Sequence, residues 1–341
     1  MLFLVHFIPL KRKIKKILIL CKKVEKILLL FHFFISLSFF SADKDTIIVS
    51  KDSKGDFTSI QEAINQSKAF PYKRLVIFIK NGIYKEKVKV NEWNTNLSII
   101  GEDKDKTIIT FDDYFDKINK GRNSTFFTST LSIEANDTVL KNLTIENLSG
   151  DIGQAIALSI TANRVSVINC KILGNQDTLY LSGEGKQFLK NCYIEGTTDF
   201  IFGSATAFFE NCEIHSKKDS YITAASTPEN TDFGFVFFQC NLSAAPNVKK
   251  VYLGRPWRIY AKTAFINCGL RAHILPEGWH NWDKSDAEKT TYFAEFQNYG
   301  KGADTKQRVK WSHLISKKEA KKFDKKNILK DSKKTNWYEF F

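Results

Sequence analysis

The apolar positions of this chain recur in a short unit of amide, apolar, any residue, aliphatic. Asn142-Leu143-Thr144-Ile145 is followed by Asn169-Cys170-Lys171-Ile172, Asn191-Cys192-Tyr193-Ile194 and Asn211-Cys212-Glu213-Ile214. Gln239-Cys240-Asn241-Leu242 and Asn267-Cys268-Gly269-Leu270 complete the series, with second positions 27, 22, 20, 28 and 28 residues apart. Alternation within each unit is the period-two pattern of a half-buried strand. A strand this short cannot bury its apolar face alone, so the units must stack. The pattern predicts an all-β parallel β-helix with equivalent residues about 4.8 Å apart along its axis. Cys and Leu/Ile become interior ladders, and the amides can hydrogen-bond along the stack. At the N-terminal end, Thr58 to Ile64 reads as a short amphipathic capping helix, with Ser59 and Glu62 as its capping box. Residues 316–330 read as a Lys-rich surface helix, a C-terminal helical tail.

Charge changes the picture less than its total suggests. The 341 residues carry a net +14. Residues 1–42 account for +7 and residues 301–341 for +8, while 43–300 stand at −1. Basicity gathered at the two ends argues against nucleic-acid binding. Lys11 to Lys26 followed by the apolar Ile27 to Phe40 is the pattern of an export signal. Ser36-Leu37-Ser38 and Ala42 are candidate cleavage sites. The division expected is therefore 1–42 as signal peptide or N-terminal anchor and 43–341 as the β-helix domain. Membrane contact would arise only if the N-terminal segment stays uncleaved. The five later cysteines share one repeat position and read as buried small hydrophobes. If one bridge forms, Cys192–Cys212 is favoured, as the closest pair.

Motifs of serine and zinc hydrolases, G-x-S-x-G and H-E-x-x-H, are missing, and no Cys/His spacing reads as a metal site. Chemistry must rest on carboxylates, amides and arginine. Asp177 lies seven residues after Cys170, and Asp199 seven after Cys192. Equal offsets place both aspartates on one face of successive coils. Gln154 and Gln176 are 22 residues apart, again one coil step. Two carboxylates so placed should differ in pKa. The spacing alone fits a catalytic pair and equally a solvent-facing aspartate ladder.

At these positions the chain resembles the pectin methylesterases, or pectinesterases. The resemblance is carried by Gly82-Ile83-Tyr84-Lys85-Glu86, Gln154-Ala155-Ile156-Ala157-Leu158 and Gln176-Asp177-Thr178-Leu179. Asp199-Phe200-Ile201-Phe202-Gly203 and Leu253-Gly254-Arg255-Pro256-Trp257 follow in order, and the likeness runs from about Ile47 to Trp337. It implies a right-handed helix with a cleft on an outer face. It also implies hydrolysis of galacturonate methyl esters, with methylated polygalacturonan (pectin) and water as the reactants. The roles it implies are Asp199 as nucleophile and Asp177 as general acid and then base. Gln176 and Gln154 would bind the oxyanion, and Arg255 would hold Asp199 ionised. Thr125, Gln154, Arg255, Trp257 and Trp279 would contact the sugar chain. No metal or cofactor is implied. A secreted or periplasmic monomer is expected, possibly held at the cell envelope. Two departures bear on sugar preference: Ala225-Ser226-Thr227 lacks the family's usual arginine, and Ser182 to Lys186 is one residue longer than in plant members. Lack of a plant-type inhibitor-like pro-region suggests a bacterial-type member. Rival readings are a polygalacturonase or pectate lyase, a non-catalytic carbohydrate-binding β-helix, and a related esterase acting on acyl thioesters.

Overall fold

The computed structural model describes residues 45–331 and 336–339. The signal or anchor reading of residues 1–42 lies outside them. The described chain winds through three parallel sheets of 11, 8 and 7 strands, each strand pairing with its equivalents on the coils before and after. This is the expected right-handed parallel β-helix. The repeat maps directly onto register: Ile145, Ile172, Ile194, Ile214, Leu242 and Leu270 are paired in sequence along the 8-stranded sheet. All six are buried and form one continuous ladder of the core. At roughly 25 cal/mol per Å² of apolar surface removed from water, such ladders supply the main driving force for stacking.

The amides have a sharper reason for being there. Asn142, Asn169, Asn191, Asn211, Gln239 and Asn267 all sit at φ between 52° and 56°, in the left-handed region. Each makes the single-residue turn between the 11-stranded and 8-stranded sheets. Asn tolerates that conformation better than most residues with a Cβ. The amide ladder extends in one place, where Asn169 Nδ2 donates to Asn142 Oδ1 at 2.8 Å.

All five cysteines at the next position are buried and free. Their thiols donate to backbone carbonyls, as Cys192 Sγ does to Val167 at 3.3 Å and Cys212 Sγ to Leu189 at 3.6 Å. Burial pushes these thiols well above the ordinary range. The Cys192–Cys212 bridge is therefore not formed.

The helical segments before the first coil and after the last both depart from expectation. The helix Ile60–Gln66 buries Ile60, Ala63 and Ile64 over the first coil, and Ser59 accepts from Glu62 N. Its second cap is Glu86, not Glu62. The Glu86 carboxylate accepts from Ser59 Oγ (2.7 Å) and from the Ile60 and Gln61 amides (both 3.0 Å). A residue 26 positions away thus satisfies the helix donors. The Lys-rich tail is broken into Lys317–Ala320, a 3₁₀ turn at Lys321–Phe323, and Lys325–Leu329. Asp324 ends one helix and caps the next by accepting from Asn327 N. Phe323, Ile328 and Leu329 cover Phe188, Phe208 and Val236 on the outer face of the 11-stranded sheet.

Candidate active site

The 7-stranded sheet presents its outer face as a row of paired positions. Tyr180, Phe202, Ala224 and Arg255 are aligned on successive coils. Just upstream of two of these strands lie the aspartates. Asp177 N–H donates to Thr198 O, and Asp199 N–H donates to Tyr221 O, so each is tied to the following coil. Their 22-residue offset equals that of the paired Leu179 and Ile201, which puts the two on adjacent coils and one face. Both occupy the left-handed region, Asp177 at φ 65° and Asp199 at φ 49°. Such backbone conformations cost energy and recur at functional sites. Gly203 and Gly254 of the neighbouring motifs are required sterically, since a Cβ would strike the Leu181 carbonyl oxygen or Thr223 Oγ1.

Arg255 approaches Asp199 as a fork: Nε to Oδ1 at 3.0 Å and Nη2 to Oδ2 at 2.7 Å. The pair is nearly enclosed, with Arg255 and Asp199 side chains 17% and 8% exposed. The guanidinium lies between two rings, 3.9 Å from the centre of Tyr221 and 3.6 Å from that of Trp282. Such stacking fixes the plane of the fork.

Burial raises the pKa of both aspartates. For Asp177 the neighbouring Asp199 charge adds to the rise, which carries it well above the usual carboxylate range despite the opposing pull of Arg255. For Asp199 the Arg255 hydrogen bonds and charge oppose burial directly, with Lys284 helping, so its rise is smaller. Asp177 therefore holds its proton more strongly than Asp199, which the Arg255 fork favours in its ionised form. Gln154 and Gln176 flank them on adjoining coils, where Ala155 N–H donates to Gln176 O at 3.1 Å. Among the described residues neither glutamine side chain has a hydrogen-bond partner, and both are partly exposed. Their amides are free to donate to a group entering the site.

Aromatic rings run along the face beside this cluster. Phe126, Tyr180, Phe202 and Trp257 follow one another with centroid separations of 5.1, 4.8 and 5.8 Å. Trp257 stands on this outer face beside Phe202. Trp279 does not: it is 1% exposed and points inward. It extends the interior stack Phe209–Phe237–Phe265 and lies 4.4 Å from Phe293, with Nε1 donating to Glu295. Trp282, three residues on, takes the outer position against Arg255. Thr125 is nearly buried, its carbonyl accepting from Thr128 N–H and Oγ1, while its neighbour Phe126 faces outward. Trp282 and Phe126 thus hold the outward positions that the sequence reading gives to Trp279 and Thr125. The signals were the second Trp of Gly278-Trp279-His280-Asn281-Trp282 and the exposed aromatic beside Thr125.

An aspartate–guanidinium pair beside a second carboxyl whose pKa burial raises has the chemistry that a carboxylate-based hydrolytic site needs, and it stands here on a parallel β-helix. Comparison with known proteins agrees. The pectinesterase family model matches residues 46–332. Pectinesterase 31 of Arabidopsis thaliana is 36% identical over 81% of this chain and 89% of its own. The probable pectinesterase/pectinesterase inhibitor 6 of that plant is 39% identical over 84% of this chain, which spans 52% of that protein. Among solved structures, pectin methylesterase from carrot superposes with a TM-score of 0.78 at 31% identity, covering 83% of this chain and 92% of that one. The enzyme from Erwinia chrysanthemi gives 0.73 at 28%, covering 85% and 98%. These define a carboxylic ester hydrolase. The chain belongs to the pectinesterase family. A bacterial-type subgroup finds no support, because the plant enzymes match at higher identity than the bacterial structures.

Proposed function

We propose that the protein hydrolyses galacturonate methyl esters of pectin to pectate and methanol, with Asp199 as nucleophile and Asp177 as acid and then base. The observation that carries this reading is the enclosed Asp199–Arg255 fork facing a neighbouring carboxyl that prefers its proton. A pectin methylesterase at 28% identity, solved in complex with a hexasaccharide, supports a sugar chain lying along such a face.

A carboxylate attacks esters weakly unless it is ionised and aimed, and the guanidinium does both. One Asp199 oxygen adds to the ester carbonyl carbon. The carbonyl oxygen becomes an oxyanion, which the Gln154 and Gln176 amides can take; losing one such donor costs roughly 10²–10³ in rate. Methoxide is a poor leaving group. Asp177 hands it a proton, so methanol departs and a mixed anhydride with Asp199 remains. Asp177, now ionised, draws a proton from water, which adds to the anhydride and frees both carboxylates. Acid–base help of this kind is worth about 10²–10⁴. The aromatic row and Trp257 supply sugar-stacking surface, and Trp282 holds Arg255. Pectin is an extracellular polymer, which supports reading residues 1–42 as an export segment.

The test uses two variants. Asp199→Ala should abolish methanol release and form no acyl-enzyme. Asp177→Asn should lose turnover on pectin. On an accepted ester whose leaving group needs no proton, it should give a burst of about one equivalent followed by slow turnover. Mass spectrometry should place the acyl group on Asp199. A burst from Asp199→Ala with none from Asp177→Asn would reverse the roles.

A further inference from the structure

The tail that covers the 11-stranded sheet turns its apolar residues inward and its lysines outward. The lysines come in doublets four positions apart: Lys317-Lys318, Lys321-Lys322 and Lys325-Lys326. Phe323, Ile328 and Leu329 pack on the sheet, whereas Lys317, Lys318, Lys321, Lys322 and Lys326 are exposed. From Ser316 to Asp331, seven lysines stand against three acids.

Those acids are committed elsewhere. Glu319 caps its own helix, accepting from Ser316 N–H at 2.8 Å and Oγ–H at 2.7 Å. Asp324 caps the next, accepting from Asn327 N–H at 3.0 Å. The Asp331 charge acts on Arg164 and Lys186. Lys325 is paired with Glu210 at 2.9 Å. Among the described residues no carboxylate oxygen lies within 4.0 Å of the other five ammonium groups, and Lys322 acts on Glu319 only at longer range.

This arrangement works against the local structure. Lys317 and Lys318 open one helix, and Lys325 and Lys326 the next, where the dipole disfavours cations. Like charges four apart also repel. Nothing within the described fold offsets that repulsion, but a polyanion laid across the face does. Regularly spaced doublets suit a polymer with repeating carboxylates, since a compact anion engages one doublet alone. The face belongs to the 11-stranded sheet, whereas the aspartates and the aromatic row belong to the 7-stranded one.

We propose that the lysine face of the tail is an exosite for de-esterified stretches of galacturonan, apart from the groove that holds the reacting unit. This rests on the pectin reading above. Each turnover leaves one carboxylate on the polymer, so the ligand is the reaction's own product. As charge accumulates on the polymer, the exosite holds the enzyme to it while the groove exchanges one ester for another.

The experiment titrates the full-length chain with polygalacturonate at low ionic strength, by calorimetry. The variant replaces Lys317, Lys318, Lys321, Lys322 and Lys326 together by Gln. Its affinity should fall at least tenfold, and added salt should bring wild type down toward it. A control replacing Lys73, Lys249, Lys250, Lys301 and Lys306 by Gln, exposed lysines outside the tail, has the same net charge and should bind like wild type. On methyl-esterified trigalacturonate, too short to reach both faces, kcat/KM should be the same in the tail variant and in wild type. On long, partly de-esterified pectin the tail variant should lose about tenfold. Lys321→Gln with Lys322→Gln should give part of the loss, and decides the matter if the larger variant does not fold. Unchanged polygalacturonate binding, or equal losses in the tail variant and the control, overturns the exosite alone, as does tail-dependent binding to phosphatidylglycerol vesicles but not to polygalacturonate. Absence of methanol from wild type on both substrates overturns the esterase reading, and the exosite with it.

Discussion

Asp177 and Asp199 bear the same side chain one coil apart, and their surroundings alone separate them. Arg255 bonds both oxygens of Asp199, whereas no hydrogen bond is made to the Asp177 carboxyl among the described residues. This has a stability consequence with a definite sign. A native pKa raised above the unfolded value of about 3.9 means that the folded state prefers the proton. The native state is therefore favoured at low pH, and stability is lost as pH climbs from the unfolded pKa through the folded one. Asp177→Asn keeps the shape and removes the charge. It should raise stability at pH 7 by about 1–2 kcal/mol, or ~2–4 °C in Tm per kcal/mol, while abolishing turnover. The gain should vanish near pH 3, and calorimetry at the two pH values checks it. The two aspartates were legible as a shared face because each lies seven residues after a cysteine of the repeat, and the glutamines because they stand one coil step apart, whereas Arg255 came only from the family resemblance. The two tryptophans were not. Trp279 and Trp282 stand three apart in a segment without strand alternation, and an isolated bridge from Trp279 to Gly254 decides which ring turns inward. That pairing is a tertiary fact absent from the local pattern.

At the level of the coil, the turn between the 11-stranded and 8-stranded sheets is made by one residue in the left-handed region. The repeat was legible as an amide position, but its cause is backbone conformation more than the amide ladder, since Asn211 is exposed at φ 55° and its side chain makes no hydrogen bond among the described residues. Asn211→Ala should therefore cost up to about 1 kcal/mol in urea unfolding, because alanine enters the left-handed region less readily than asparagine. Asn211→Gly should stay within roughly 0.5 kcal/mol of wild type, because glycine enters that region freely. If side-chain hydrogen bonding governed the position, both would lose stability alike. The caps show the opposite limit. Ser59 was readable as an N-cap, but Glu86 reaches it only because the first coil closes, and Asp324 breaks the Lys-rich helix by recapping it. Local signals mark where a helix can start more surely than which residue completes its cap.

Across the whole molecule, one axis organises everything: each coil adds one rung to every ladder, and the site draws single residues from rungs between Gln154 and Trp282. Its far end is closed by a buried Arg308–Glu295 pair at 2.8 Å, on which Trp279 Nε1 also converges. The cysteine ladder, described above as packing, has a kinetic meaning. In the folded stack each of these five thiols is buried and points at a carbonyl, so alkylating or oxidising reagents should leave them untouched in the native state. In the unfolded chain the same five thiols are exposed at spacings of 20 to 28 residues, short enough for easy loop closure. Any cross-link formed before the coils stack would tie two rungs at a geometry the finished helix does not use. Recovery of methanol-releasing activity after dilution from urea should accordingly rise with added dithiothreitol and fall with oxidised glutathione, although the native enzyme contains no disulfide among its described residues. The order of events, stacking before oxidation, is thereby built into a ladder that looks inert once it is complete.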